Sequence, residues 1–234
     1  MASLVIFDFD GTLFDTHQSI SHSIKLTFDA LSPTQSPPES EVQRYISSGT
    51  GLSDTFRALT ASVGVALDKD TEAEWTAKYR EVYASDGQPL IRPFPGAKEL
   101  LQHLAQRKVP MAIVSNKGVA AVVTALARSG LADYVPRELI VGDSTPGATR
   151  KPDPSSYTAV LLPAMTQMYG VSGLDAGKVL EVGDTVADVQ FARNIGAKSC
   201  WCRFGYGDAK ACAELEPDYV VDTLEQVISI CDAL

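Results

Sequence analysis

No run of lysine and arginine occurs in the 234 residues, and the formal net charge is −9. A protein that tracks a phosphate backbone needs a basic footprint, so nucleic acid is excluded as a partner. No apolar run approaches the roughly 20 residues that cross a bilayer, which excludes a spanning helix and a membrane partner. The apolar stretch Leu4-Val5-Ile6-Phe7 runs straight into acidic residues and leaves no room for a removable N-terminal signal. Cysteine is scarce as well. Cys200, Cys202, Cys212 and Cys231 all fall in the last fifth of the chain, whereas an extracellular disulfide framework spreads its cysteines more widely. Cys200 and Cys202 have no histidine near them and lack the usual zinc spacing, so the four read as buried thiols. A reduced, soluble, cytoplasmic chain is expected, as a monomer or a homodimer. There is no internal repeat, and low complexity is confined to the Pro/Ser-rich stretch 32–40.

What is present is an ordinary globular balance: 45% hydrophobic and 21% charged residues, enough to bury a core. Short apolar runs at 3–9, 110–114, 138–141, 178–182, 197–202 and 219–221 read as strands. Helical patterns lie between them. Ala97, Leu100, Leu101 and Leu104 share one helix face, as do Val119, Val122, Val123 and Leu126, with Gly130 placed to end that helix. Alternation of this kind predicts a doubly wound parallel α/β sheet. One region breaks it. From Thr16 onward only helices are expected, over 17–31, 39–47, 53–63 and 70–84, until the prolines at 89, 93 and 95 stiffen the return. The division expected is an α/β core of residues 1–15 and 88–234, with residues 16–87 as a helical cap. An insertion at the end of a strand overlies the crevice where such sheets bind ligands.

Four motifs stand at predicted strand ends. In Asp8-Phe9-Asp10-Gly11-Thr12 the strand period of two puts both carboxylates on one face, where they repel unless a cation sits between them; an Asp-Gly turn is the plainer reading. Ser115-Asn116 offers a hydroxyl and an amide to phosphate oxygens, or is simply a loop. Lys151-Pro152-Asp153-Pro154 offers a point charge for phosphate, or a solvated lysine before a helix. In Gly183-Asp184-Thr185 with Asp188, the two acids converge on one point from a turn and a first helical turn, or cap the helix. Jointly the motifs favour a site, because all four fall on one sheet edge. Four acids against Lys151 admit a phosphate dianion only with a divalent cation, and an oxygen-only donor set suits Mg²⁺.

This order of motifs resembles the haloacid dehalogenase-like hydrolase superfamily, in the branch with a small helical cap, and within it the phosphoglycolate phosphatase-like group. Pro93-Phe94-Pro95-Gly96, Asn116-Lys117, Gly205-Tyr206-Gly207 and Pro217-Asp218-Tyr219 add weaker likeness. The resemblance implies hydrolysis of a small phosphorylated metabolite through an aspartyl-phosphate. Asp8 would be the nucleophile and a metal ligand. Asp10 would be the general acid and base, with its carbonyl on the metal. Asp184 would be a further ligand supported by Asp188, and Thr12, Ser115 and Lys151 would hold the phosphoryl oxygens. Gly49, Thr50, Gly51 and Arg57 are the candidates for substrate selection within the cap. A sugar phosphomutase of the same superfamily and a phosphate-binding regulatory module remain as alternatives.

Overall fold

The computed structural model of the chain describes residues 1–170 and 173–234. The chain opens with β1 (Leu4–Phe7) and the short β2 (Phe14–Asp15), then runs through α1 (His17–Leu31), α2 (Glu39–Ser48), α3 (Leu52–Ser62) and α4 (Lys69–Val82). It continues through β3 (Arg92–Pro93), α5 (Ala97–Gln106), β4 (Met111–Gly118), α6 (Val119–Arg128), β5 (Ile140–Asp143) and α7 (Leu162–Tyr169). The last stretch is β6 (Val179–Gly183), α8 (Val186–Asn194), β7 (Lys198–Cys202), α9 (Ala209–Glu214), β8 (Tyr219–Val221) and α10 (Leu224–Ala233). Two compact units result: Met1–Asp15 with Arg92–Leu234, and Thr16–Ile91.

In the first unit, six strands form one sheet in the order β5-β4-β1-β6-β7-β8, every pair parallel. A parallel strand covered on both faces reads as continuous apolar sequence, and all four residues of β1 are buried. The helix face expected over 96–108 is the one that packs: Ala97, Leu100, Leu101 and Leu104 of α5 are buried. β1 sits at the centre, between β4 and β6, so the residues following it emerge where neighbouring strands can meet them.

Several boundaries differ from expectation. β1 stops at Phe7, so Asp8 and Asp10 lie beyond the regular strand, and period-two alternation no longer places their carboxylates on one face. β4 runs on to Gly118, with its register to β5 shifting between Val114 and Gly118. Residues 115–117 therefore belong to an irregular strand end rather than to a free loop. β2 and β3, which pair antiparallel, are too short to carry any periodicity. The return into the first unit falls at Ile91/Arg92, four residues later than expected, because Tyr83–Gly87 continue α4 as a π-helical turn and Gln88–Leu90 form a 3₁₀ turn.

The second unit is helical throughout its described secondary structure and is built around aromatics. Phe28, Phe56 and Trp75 meet with ring centroids 4.6 to 6.3 Å apart, and Tyr79 lies 5.5 Å from both Phe56 and Tyr83. α4 begins on a side-chain cap: Asp68 Oδ1 accepts the backbone N–H groups of Asp70 and Thr71 at 3.1 and 2.9 Å. Among the described residues no helix is long and apolar enough to cross a membrane.

Candidate active site

β1 delivers Asp8 to its C-terminal end, where the Asp8 N–H donates to the Val182 carbonyl of β6 at 2.8 Å. β6 ends at Gly183 and puts Asp184 alongside, and the first turn of α8 adds Asp188. Carboxylate oxygens of Asp8, Asp184 and Asp188 all lie within 4.8 Å of one another. Lys151, in the connection after β5, reaches into this group with its side chain only 2% exposed. Its Nζ donates to Asp8 Oδ1 at 2.7 Å and Asp188 Oδ1 at 2.5 Å, and stands 3.8 Å from Glu181 Oε1, an ion-pair distance too long for a hydrogen bond.

Each acid is held by specific donors. The Thr12 hydroxyl donates to Asp184 Oδ1 at 3.1 Å, and the Tyr206 N–H donates to Oδ2 at 2.7 Å. The Trp201 indole N–H donates to the Asp184 carbonyl at 3.1 Å. Gly11, at φ 80°, passes so close that a Cβ there would lie 2.4 Å from Asp184 Oδ2, which only glycine avoids. Asp188 Oδ2 accepts the N–H groups of Asp184 and Thr185 at 3.1 and 2.8 Å, and the Thr185 hydroxyl at 2.7 Å. Helix capping is thus the means by which Asp188 is aimed, since its other oxygen is the one that meets Lys151. Asp10 stands apart from this group. Its two oxygens face Lys117 Nζ at 3.0 and 3.2 Å.

Three buried carboxyls, those of Asp8, Glu181 and Asp188, face one ammonium, and a fourth, Asp184, lies beside Asp8 and Asp188. Burial pushes the Asp8 carboxyl up to about 7, against the pull of Lys151 and with Asp188 and Asp10 adding to the rise. Burial, with Asp188 and Asp8 beside it, also holds Asp184 well above the usual carboxylate range. The Lys151 ammonium is favoured despite its burial, because Asp188, Asp8 and Glu181 flank it. The cluster is short of positive charge and its donors are all oxygen, so the residues present fit a hard divalent cation.

Comparison with known proteins decides the family. The family model described as haloacid dehalogenase-like hydrolase matches residues 5–202. The chain belongs to the haloacid dehalogenase-like hydrolase family. It is 30% identical over 230 residues to a phosphoglycolate phosphatase of Vibrio parahaemolyticus, covering 97% of this chain and 95% of that one. It is 32% identical over 224 residues to a phosphoglycolate phosphatase of Thiobacillus denitrificans, covering 95% and 92%. Its fold matches a haloacid dehalogenase-like hydrolase of Streptococcus pneumoniae at a TM-score of 0.77, with 23% identity and 98% of each chain covered.

For a haloacid dehalogenase-like hydrolase, the remaining candidates divide clearly. Ser115 is buried at the irregular end of β4, with its Oγ accepting the Lys117 N–H at 3.3 Å. Asn116 Oδ1 accepts the Lys151 backbone N–H at 2.9 Å, so it braces the lysine. In the helical unit, Gly49 ends α2 in the left-handed region at φ 63°, and Gly51 leads into α3, where its carbonyl accepts the Thr55 hydroxyl at 3.1 Å. Thr50, between them, meets the Ser48 hydroxyl. Arg57 is already engaged, by Asp54 at 3.0 Å and Glu72 at 2.9 Å. Lys117, Glu181, Trp201 and Tyr206 were absent from the candidates read in the sequence. Of these, Glu181 was visible in principle, as the one charged residue inside the apolar strand VLEVG.

Proposed function

We propose that the chain hydrolyses small phosphate monoesters through a covalent phosphoryl group on Asp8. It is a phosphoric monoester hydrolase, a class supported by its family and by relatives whose own activity is phosphatase. The observation that carries the mechanism is the buried Lys151 ammonium shared between Asp8 and Asp188, with Asp184 within 4.8 Å of both acids.

Lys151 takes Asp8 Oδ1, which leaves Oδ2 to attack phosphorus in line. A loose phosphoryl transition state asks mainly for positioning and charge stabilisation, and Thr12, Ser115 and Lys151 supply donors for the phosphoryl oxygens. As the ester P–O bond breaks, Asp10 gives a proton to the leaving alkoxide. The resulting carboxylate then takes a proton from the water that attacks the phosphoryl group, releasing inorganic phosphate and Asp8. Mg²⁺ bound by Asp8, Asp184 and the Asp10 carbonyl would offset the surplus negative charge and polarise a phosphoryl oxygen. Both oxygens of Asp188 are occupied by Lys151 and the α8 cap, so Asp188 serves this centre from behind.

The helical insertion, taken as a cap of residues 16–87, is assigned the choice of substrate, with Gly49, Thr50, Gly51 and Arg57 as its candidates. A cytoplasmic location belongs to the same proposal, since all four cysteines are free thiols. The test is release of inorganic phosphate from an aryl phosphate, then from a panel ranked by kcat/KM. Phosphoglycolate heads that panel, because the relatives named above carry that activity; sugar phosphates and nucleoside monophosphates complete it. Turnover should vanish in EDTA and return with Mg²⁺ but poorly with Ca²⁺, whose larger and looser coordination disturbs in-line geometry. Full activity in excess EDTA would remove the metal from the scheme, and no phosphate release from any ester would defeat the function.

A further inference from the structure

Glu181 is the buried charge for which the scheme above finds no use. It sits in the middle of β6, between Ile6 of β1 and Ser199 of β7, in a strand whose other residues are Val, Leu, Val and Gly. Its residue is 1% exposed, and neither carboxyl oxygen has a hydrogen-bond partner. Burying a carboxyl in that condition opposes folding, and a parallel central strand has no structural need of one. The charged group it meets is Lys151, at 3.8 Å.

The strand period explains the meeting. Glu181 and Gly183 point to the same face of β6. At Gly183 a Cβ would fall 2.3 Å from the Cβ and Cγ of Asp188, so the side-chain space above Glu181 is filled by Asp188 from α8. The Lys151 ammonium comes in beneath Asp188 and ends between the two acids. It therefore faces three carboxyls: Asp8 and Asp188 in hydrogen bonds, and Glu181 at longer range.

We infer that Glu181 is a positioning residue for Lys151, a third anchor that keeps the ammonium aimed at the phosphoryl group when Asp8 can no longer do so. The inference rests on the phosphatase reading above. In the covalent step an Asp8 oxygen bonds to phosphorus, the ester P–O bond breaks, and Asp10 protonates the alkoxide that leaves. Asp8 then no longer presents a carboxylate charge to Lys151, and Asp188 and Glu181 remain. Substrate enters while Asp8 is still a free carboxylate, so Glu181 matters for turnover more than for binding.

The experiment pairs Glu181→Leu with steady-state kinetics on an aryl phosphate and with thermal unfolding. Residues that orient an active-site group typically cost 10- to 100-fold when removed, and a fall of about tenfold or more in kcat with KM nearly unchanged is expected. Tm should stay level or rise, because the orphaned carboxyl is gone. In a Lys151→Met background, Glu181→Leu should add little further loss, since its effect passes through the lysine. Unchanged kcat, a rise in KM alone, a kcat loss that tracks a falling Tm, or full additivity with Lys151→Met would each overturn the assignment. Glu181→Gln decides the matter should leucine prevent folding: a smaller drop in kcat supports the anchor, and wild-type kcat overturns it. A wild type without phosphatase activity sinks the function reading and this inference together. An active wild type with an unaffected Glu181→Leu sinks only the inference.

Discussion

The interior of the helical unit and the strand-end edge of the α/β unit are equally buried and are built on opposite principles. Phe28, Phe56, Trp75 and Tyr79 pack ring against ring, and those contacts favour folding. At the strand ends, Asp8, Glu181 and Asp188 face Lys151 and Asp184 joins the same acidic cluster, with burial and mutual repulsion raising Asp8 and Asp184 above their ordinary range. Nothing in protein stability calls for such a cluster. Carboxyls kept at a folding disadvantage mark a place where charge is used, and the function proposed above assigns that use to receiving a phosphoryl group and a cation.

The sharpest way to break this contrast is Asp8→Asn. Turnover should fall by several orders of magnitude, since the amide keeps the shape and lacks the nucleophilic oxygen. The same variant should alter the pH dependence of stability in the metal-free protein. Asp8 titrates near 7 when folded, against an ordinary 3.8. Between those values the folded chain holds a proton that the unfolded chain has released. The stabilisation is complete below about pH 4 and is lost as pH rises through about 7. Asp184 and Glu181 shift in the same direction and act with the same sign. Denaturant unfolding in EDTA should therefore show stability declining from pH 4 to pH 7.5, with a shallower decline in Asp8→Asn and also in the wild type with Mg²⁺. A wild-type profile that is flat or rising across that window would contradict the electrostatic picture.

Trp75→Ala probes the other region. Truncating a buried tryptophan costs about 3–5 kcal/mol, a large fraction of a domain's stability, with no pH dependence of the kind expected of Asp8. Calorimetry or denaturant unfolding reads the loss directly. A cost under about 1 kcal/mol would mean that the aromatic cluster is not what holds the helical unit together.

The two regions were legible in the sequence to different degrees. The helices of the insertion follow from helical segments between its breaks and the six sheet strands from short apolar runs, both local properties of the chain. The four motifs were legible because each is contiguous and each sits where an apolar run ends. Partnerships across long separations were not. Lys117 meets Asp10 across 107 positions, and Tyr206 meets Asp184 through a backbone N–H that no residue type announces. Asp8 and Asp10 look alike in the motif, yet β1 ends at Phe7 and sends them to different lysines. β2 and β3 escaped notice because two-residue strands have no period, and one residue of β3 is a proline. Glu181 shows the reverse case. Its charge inside an apolar strand was a plain local conflict, and such conflicts collect at functional sites.

The smallest effect is expected at Arg57, where the contrast between the regions can be sharpened from the helical side. Its guanidinium is shared between Asp54 in its own helix and Glu72 in α4, and more than half of the side chain is open to solvent at 58%. Exposed pairs of this kind are screened by water and salt and contribute little, so Arg57→Ala should unfold at nearly the wild-type midpoint. Its kinetic effect should also be slight. To bind a substrate carboxylate, Arg57 would have to exchange an existing acidic partner, Asp54 or Glu72, for the new one, without net gain. We therefore expect kcat/KM for an aryl phosphate and for phosphoglycolate to stay within about twofold of wild type, since no transition-state contact is removed. That result would shift substrate selection towards the Gly49-Thr50-Gly51 turn. A tenfold or larger loss confined to phosphoglycolate, carried by KM, would instead make Arg57 the carboxylate receptor, and its pairing with Glu72 the resting state that substrate displaces.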